Sequence, residues 1–166
     1  MKKLYGPRLL TLRAMVLLHE LIAYMRKQAP ETHKHFNMGA FLDHRGWHEI
    51  AREGTRITRT HVMDCGTSAC ALGFAAVKPK FQELGLEMRW EDSSYQFRVK
   101  GRGYSPFEAA KKFFDIGYDD AKTLFGNISY IRTPKQWAEY AHREIGPLPH
   151  DATAAARKRI LSGSSR

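Results

Sequence analysis

Apolar side chains recur at three- and four-residue spacing through residues 9–28, where Leu10, Ala14, Leu17, Leu21 and Met25 form a stripe that Val16, Leu18 and Ile22 widen. That period predicts an amphipathic helix, and Pro30 stops it. From Glu31 to His48 the pattern breaks. His33, His35, Asn37, Gly39 and Gly46 alternate with Phe36, Met38, Phe41, Leu42 and Trp47, which predicts a loop pinned to the core by its aromatic residues. Residues 55–63 carry β-branched side chains without a helical period and fit a short strand or an extended approach to the next stretch. That stretch, Asp64 to Ala76, is the most distinctive in the chain. Its pattern predicts a helix over about 67–77 with almost no polar face, hence a helix in the middle of the fold. Thr67 or Gly66 is the expected N-cap, and Ala or Gly at 69, 71, 73, 75 and 76 lets neighbouring backbones come close.

After Lys78-Pro79-Lys80, which forces a break, the period changes to two. Leu86–Trp90 and Tyr95–Val99 alternate apolar with polar around Glu91-Asp92-Ser93-Ser94. They predict a β-hairpin over about 86–100, with Leu86, Met88, Trp90, Tyr95, Phe97 and Val99 facing the core and Arg89 and Arg98 facing out. Ser105-Pro106-Phe107-Glu108 has the form of a capping box and opens a helix to about Ile116. A short helix follows Gly117 and ends at Phe125-Gly126. Thr133-Pro134-Lys135-Gln136 opens a last helix, closed by Gly146-Pro147. The expected fold is a single α+β domain over 1–149, dominated by helix. Residues 150–166, rich in Ala, Arg and Ser, are expected to be a basic, flexible tail, helical in part at most.

Three of these segments, in this order, resemble a group of small uncharacterised proteins from bacteriophages and related mobile elements. The first is Phe36-Asn37-Met38-Gly39-Ala40-Phe41. The second is Cys65-Gly66-Thr67-Ser68-Ala69-Cys70-Ala71-Leu72-Gly73-Phe74-Ala75, a C-G-T-x-x-C-x-x-G-x-A core. The third runs from Phe113-Phe114-Asp115-Ile116 through Ala121 to Leu124-Phe125, with Asp115 where the group has Gly. The resemblance spans roughly residues 10–145. It implies a phage or prophage accessory protein and attaches no activity to any residue.

Composition then narrows the classes. The 166 residues suffice for one real core, and 43% hydrophobic content with 11% aromatic is a globular balance. Lys and Arg number 27 against 17 Asp and Glu, a net charge of +10 that favours polyanionic partners. Met1-Lys2-Lys3 is basic like a signal peptide, but Arg13, His19 and Glu20 interrupt the apolar run that would follow, and the same charges exclude a membrane span. A soluble protein of the bacterial cytoplasm is the expectation.

The positive charge falls in patches. Arg98-Val-Lys100-Gly-Arg102-Gly-Tyr104 offers cations, glycines for close backbone approach and a tyrosine for stacking; Lys111 and Lys112 follow, and Arg157, Lys158 and Arg159 crowd the tail. These nine residues are the candidate surface for nucleic acid, DNA or RNA, or for an acidic host protein. No helix-turn-helix, zinc-finger or RNA-recognition signature is present, so binding without strong sequence specificity is expected.

Two further chemistries compete. Cys65, just before a helix start, is placed where a thiol becomes acidic, and His61 or His48 could serve as its base; against this, both cysteines suit plain packing. A zinc site from His61, Cys65 and Cys70 with a fourth histidine is conceivable, but Cys-x4-Cys is not the usual knuckle spacing. Nor do Cys65 and Cys70 suit a disulfide if both lie on one helix. With no P-loop, dinucleotide fingerprint or nucleophile elbow, no cofactor or metal is expected.

Overall fold

The computed structural model describes residues 2–44, 52–63 and 67–164. Helix α1 (Leu12–Arg26) forms as its stripe predicts: Thr11 accepts from the Ala14 N–H at 3.1 Å, and Leu17, Leu18 and Leu21 are fully buried. A 3-10 turn (Pro30–His35) leads to β1 (Asp43–His44). A single helical turn, α2 (Arg59–Val62), precedes β2 (Thr67–Ser68), which pairs antiparallel with β1.

The central helix α3 (Ala71–Val77) is buried at every residue, as an apolar helix with no polar face must be. It begins later than expected. Cys70, rather than Thr67 or Gly66, holds the N-cap position, because Thr67 and Ser68 are spent on the β1 ladder and Ala69 bridges Phe36. Pro79 ends α3 and opens α4 (Pro79–Glu83). The spacing of Gly73 has a geometric cause. A Cβ there would stand 2.2 Å from the Phe41 carbonyl oxygen and 2.7 Å from the Ala69 Cβ, so only glycine lets the 36–41 loop lie on the helix.

Strands β3 (Leu86–Glu91) and β4 (Ser94–Val99) form the predicted hairpin. Leu86 faces Val99, Met88 faces Phe97 and Trp90 faces Tyr95. Asp92 and Ser93 turn the chain with φ of 50° and 62°, a pair of left-handed residues whose twist suits a two-residue hairpin. A third strand, β5 (Arg102–Tyr104), was not expected. It pairs with β4 through a second turn at Lys100 and Gly101, with φ of 51° and 78°. The basic stretch read as a binding surface is therefore part of a hairpin. On the opposite edge, residues 54–57 run along β3: the Gly54 and Ile57 N–H groups donate to the Trp90 and Met88 carbonyls at 2.7 and 2.8 Å. Glu87, almost buried there, is held between Arg56 and Arg89, each 2.7 Å away. Burial alone would raise its pKa, but the two guanidinium groups outweigh it and hold the carboxyl below its ordinary value.

Four helices complete the domain: α5 (Pro106–Phe114), α6 (Tyr118–Phe125), α7 (Pro134–Ile145) and α8 (Ala154–Leu161). Helix α7 packs along α1, and α5 against α6. The Ser105–Glu108 capping box does not close. Ser105 makes no side-chain cap bond, and Glu108 faces Lys111 instead at 3.7 Å. At Thr133 the hydroxyl does cap, accepting from Gln136 N–H at 3.1 Å. The expected flexible tail holds a capped helix: Thr153 accepts from Ala156 N–H at 3.2 Å, Ala156 is buried, and Ile160 and Leu161 rest on the core.

The three segments behind the phage resemblance all enter the core. Phe36 packs on Phe74, and Phe41 meets the edges of Phe97 and Phe107. Phe114 stacks on Phe125 with centroids 5.3 Å apart, and Phe125 on Trp137 at 5.8 Å. The described residues of all three serve packing. Among the described residues, no helix is long and apolar enough to cross a membrane.

Between α1 and the end of α7 lies a titratable contact. His19 donates to the Gly146 carbonyl at 3.0 Å from Nε2 and stands edge-on to the His142 ring, with centroids 5.5 Å apart. Burial lowers its pKa, and the charges of Arg26 and Arg157 lower it further; the bond to Gly146 opposes them. A folded pKa below the ordinary 6.5 means the unfolded chain binds the proton first. Stability is then full above 6.5 and declines as pH falls through the folded value. A His19→Gln variant is expected to flatten that part of the profile in denaturant titrations between neutral and mildly acid pH. An unchanged slope would remove His19 as its source.

Candidate nucleic-acid interface

Lys100, Lys112 and Arg159 come from three separate parts of the chain and meet at one cleft of about 800 Å³, where Arg13 of α1 joins them. Each is fixed by the element beneath it. The Lys100 N–H donates to the Gly85 carbonyl at 2.8 Å, tying the β4–β5 turn to the turn before β3. Gly85, at φ 99°, is needed there, since a Cβ would press on the Lys100 backbone at about 3.1 Å. Lys112 precedes the buried Phe113 on α5, and Arg159 precedes Ile160, which rests on the core from α8.

Two carboxylates also line the cleft, but both are engaged. Glu83 pairs with Lys80 at 2.9 Å. Asp115 accepts from the Thr11 hydroxyl at 2.8 Å and lies 3.5 Å from Lys2. Asp115 takes the left-handed position, φ 59°, that closes α5. Glycine is the usual residue at such a helix end, and aspartate is among the few others that tolerate it. Among the described residues, none of Arg13, Lys100, Lys112 and Arg159 has an acid within ion-pair distance. In a low-dielectric concavity, four unneutralised cations sum to a local positive field stronger than the same charges scattered over a surface.

The other predicted binding residues lie elsewhere. Arg98 sits on the outer face of the sheet, bonded to Glu91 and, at 3.2 Å, to the Gly101 carbonyl. Arg102 lies over the Tyr104 ring at 5.9 Å, and Tyr104 lines a separate hollow of about 590 Å³ with Tyr95, Phe97 and Pro106. Lys111 is on the Glu108 side of α5. Arg157 lies close enough to α1 for its charge to bear on His19, and Lys158 is exposed outside the cleft lining. Arg13 is the residue that sequence reasoning missed. It interrupts an apolar run, and nothing local distinguishes it from an ordinary solvated arginine.

The cysteine hypotheses divide. Asp64, Cys65 and Gly66 lie outside the described residues, as does 45–51 with Trp47 and His48. Cys70 is a fully buried free thiol, and burial pushes its pKa up to about 11. A thiol so protonated is a packing residue and a poor nucleophile. Alkylating reagent at neutral pH is expected to leave Cys70 unmodified in the folded protein and to label it after denaturation, read by mass spectrometry of its peptide. Rapid labelling in the native state would contradict that. His61 Nδ1 accepts the Thr58 N–H at 2.9 Å, closing the start of α2. Among the described residues, no three His, Cys, Asp or Glu side chains stand close enough to hold a metal ion.

Compared with protein-family models, with curated proteins and with solved structures, the chain finds no match.

Proposed function

We propose that this protein binds nucleic acid through the Arg13–Lys100–Lys112–Arg159 cleft, without strong sequence specificity. The observation that carries the reading is the convergence of four unpaired cations from α1, the β4–β5 turn, α5 and α8 on one concavity. A phosphodiester backbone matches it: charge contacts of this kind position a strand and read no base. The resemblance of the three core segments to phage and mobile-element proteins supports an accessory role in the cytoplasm of a bacterial host. An acidic protein surface is the competing partner.

Lys100 adds a second line of support. It occupies the left-handed first position of a two-residue turn, where Asn, Asp or Gly is the unstrained choice. A lysine there costs about 1 kcal/mol, and strain of this sort clusters at sites where a side chain has work to do. Lys100→Asn is therefore expected to raise the denaturation midpoint slightly while weakening binding. A variant that is more stable and binds as before would separate Lys100 from the site.

Fluorescence anisotropy of labelled oligonucleotides at physiological salt is the test. Wild type is expected to bind, and the Lys100→Ala/Lys112→Ala/Arg159→Ala variant to lose at least about tenfold in affinity, some 1.4 kcal/mol or more. Binding that disappears for wild type at physiological salt would defeat the reading.

A further inference from the structure

One edge of the three-stranded sheet is closed and the other is bare. Along β3 the chain covers its own edge: the Gly54 and Ile57 N–H groups donate to the Trp90 and Met88 carbonyls at 2.7 and 2.8 Å, and the Trp90 N–H donates to the Thr55 carbonyl at 2.9 Å. Among the described residues, no backbone group is bonded along the outer side of β5. We propose that this edge takes an extended acidic peptide segment of a partner protein as a fourth strand, anchored on Gly103. The site is separate from the Arg13–Lys100–Lys112–Arg159 cleft and does not rest on nucleic-acid binding there.

The register decides which groups are bare. Lys100 and Gly101 make a two-residue turn, so the flanking pair Val99 and Arg102 exchanges hydrogen bonds, and bonded pairs alternate with unbonded ones from there. Phe97 and Tyr104 are the next bonded pair. Gly103, opposite Arg98 between them, therefore points its N–H and its carbonyl away from β4. The same alternation in the β3–β4 hairpin sends the backbone groups of Trp90 and Met88 outward, which is where residues 54–57 meet them. Gly103 is exposed, with no side chain to screen its backbone, and a Cβ there would meet nothing closer than the Gln96 Oε1 at 3.9 Å. An antiparallel segment opposite Gly103 gains both of its bonds at once.

The residues on either side of Gly103 set the chemistry of the segment. Arg102 and Tyr104 share a face of the strand, and the Arg102 guanidinium lies over the Tyr104 ring at 5.9 Å. Among the described residues, no acid stands within ion-pair distance of Arg102. Past Tyr104, where Ser105 and Pro106 carry the chain off the sheet into α5, Tyr95, Tyr104 and Pro106 line a hollow of about 590 Å³ whose exposed surface is mainly apolar. Residues of an added strand that lie opposite Arg102 and Tyr104 project on that same face. The segment that fits has an acidic side chain beside Arg102 and, two positions away, an apolar one beside the hollow. A second copy of this chain fits badly, since pairing would bring two bodies of net charge +10 together along a strand of three residues. A short edge that carries a cation is protected against its own kind, and it stays open to a segment of opposite charge.

The experiment selects a displayed library of short random peptides on the full chain, then titrates the enriched peptides, labelled, by anisotropy. They are expected to pair an acid with an apolar residue two positions away, and to slow amide exchange at Gly103. Gly103→Pro removes only an N–H that faces away from β4, so its circular dichroism should stay native while peptide affinity falls at least about tenfold. Gly103→Ala keeps the N–H and should bind within about threefold of wild type, as should Lys112→Glu/Arg159→Glu, whose changes lie in the cleft. Failure of the library to enrich any peptide would overturn the inference, as would enriched peptides that leave the Gly103 amide exchanging freely or bind Gly103→Pro as tightly. Exchange at Gly103 that slows with protein concentration, before any peptide is added, would overturn it in favour of a second copy. None of these outcomes bears on oligonucleotide binding at the cleft, which is read separately.

Discussion

Trp137→Ala is expected to cost about 3–5 kcal/mol of stability, a large share of the roughly 5–15 kcal/mol that holds a domain of this size. The Trp137 side chain has no exposure to solvent and stacks on Phe125 at an interplanar angle of 22°. Through Phe125 it reaches Phe114, and through Phe114 the pair of Phe113 and Phe81, so one chain of rings ties α7, α6, α5 and α4 together. Its Nε1 also donates to the Leu124 carbonyl at 2.8 Å. Alanine removes the ring, leaves a cavity that these neighbours fill only in part, and strips a buried carbonyl of a donor. Trp137→Phe keeps much of the volume and loses only the donor, so its cost should be near 1–2 kcal/mol, roughly the price of the unmet carbonyl. Denaturant midpoints at constant m-value decide it; equal losses for both variants would mean that the hydrogen bond, not the packing, carries the site.

Gly73→Ala should be nearly as damaging, on the order of 3 kcal/mol, for the opposite reason. One added methyl stands 2.2 Å from a backbone oxygen, which has no rotamer through which to yield. Either α3 or the 36–41 loop must move. The loop is held there by the Asn37 N–H to the Ala69 carbonyl at 2.9 Å and by the Cys70 N–H to the Ala40 carbonyl at 2.7 Å. Hydrogen exchange should therefore speed up first at Asn37 and Cys70, while amides around Phe125 and Trp137 stay protected. Thermal unfolding at the wild-type midpoint would show that the close approach is not tight.

Elements whose own periodicity matches their burial could be read in advance. The stripe of α1 and the alternation of β3 and β4 each repeat one instruction many times, and tertiary context only confirms them. Signals resting on a single residue pair fared less evenly. Thr133 caps its helix, but Glu108 turns to Lys111 instead of completing a box with Ser105. The sequence offers Thr67 or Gly66 as the N-cap of the central helix, yet the distant Asp43–His44 strand claims the backbone of Thr67 and Ser68, a competition that no local pattern announces. Residues 98–104 read as a basic binding stretch with glycines for close backbone approach. Lys100-Gly101 in fact supplies the two left-handed residues of a tight turn, and Arg98 is thereby carried to the outer sheet face, away from Lys100.

The candidate site was legible as charge but not as a place. Lys100, Lys112 and Arg159 stand out as cations in basic stretches, whereas their meeting depends on α8 folding back onto the core instead of trailing as a tail. Arg13 could not have been singled out, because the residues that line the cleft with it, from Glu83 onward, lie 70 or more residues along the chain. Among the described residues, the basic stretches hold cations engaged by Glu or by rings, such as Arg98, Lys111 and Arg102, and cations with no acid within ion-pair distance, such as Lys100, Lys112 and Arg159.

A molecule of net charge +10 attracts any polyanion to some degree, so the decisive measurement compares two equal changes in charge. Lys112→Glu/Arg159→Glu reverses two cations of the cleft, and Lys34→Glu/Lys135→Glu reverses two exposed lysines outside its lining. Oligonucleotide affinity at physiological salt is expected to collapse in the first variant and to change less than about threefold in the second, under 1 kcal/mol. Equal losses in both would show that the whole surface field, and not the cleft, holds the nucleic acid.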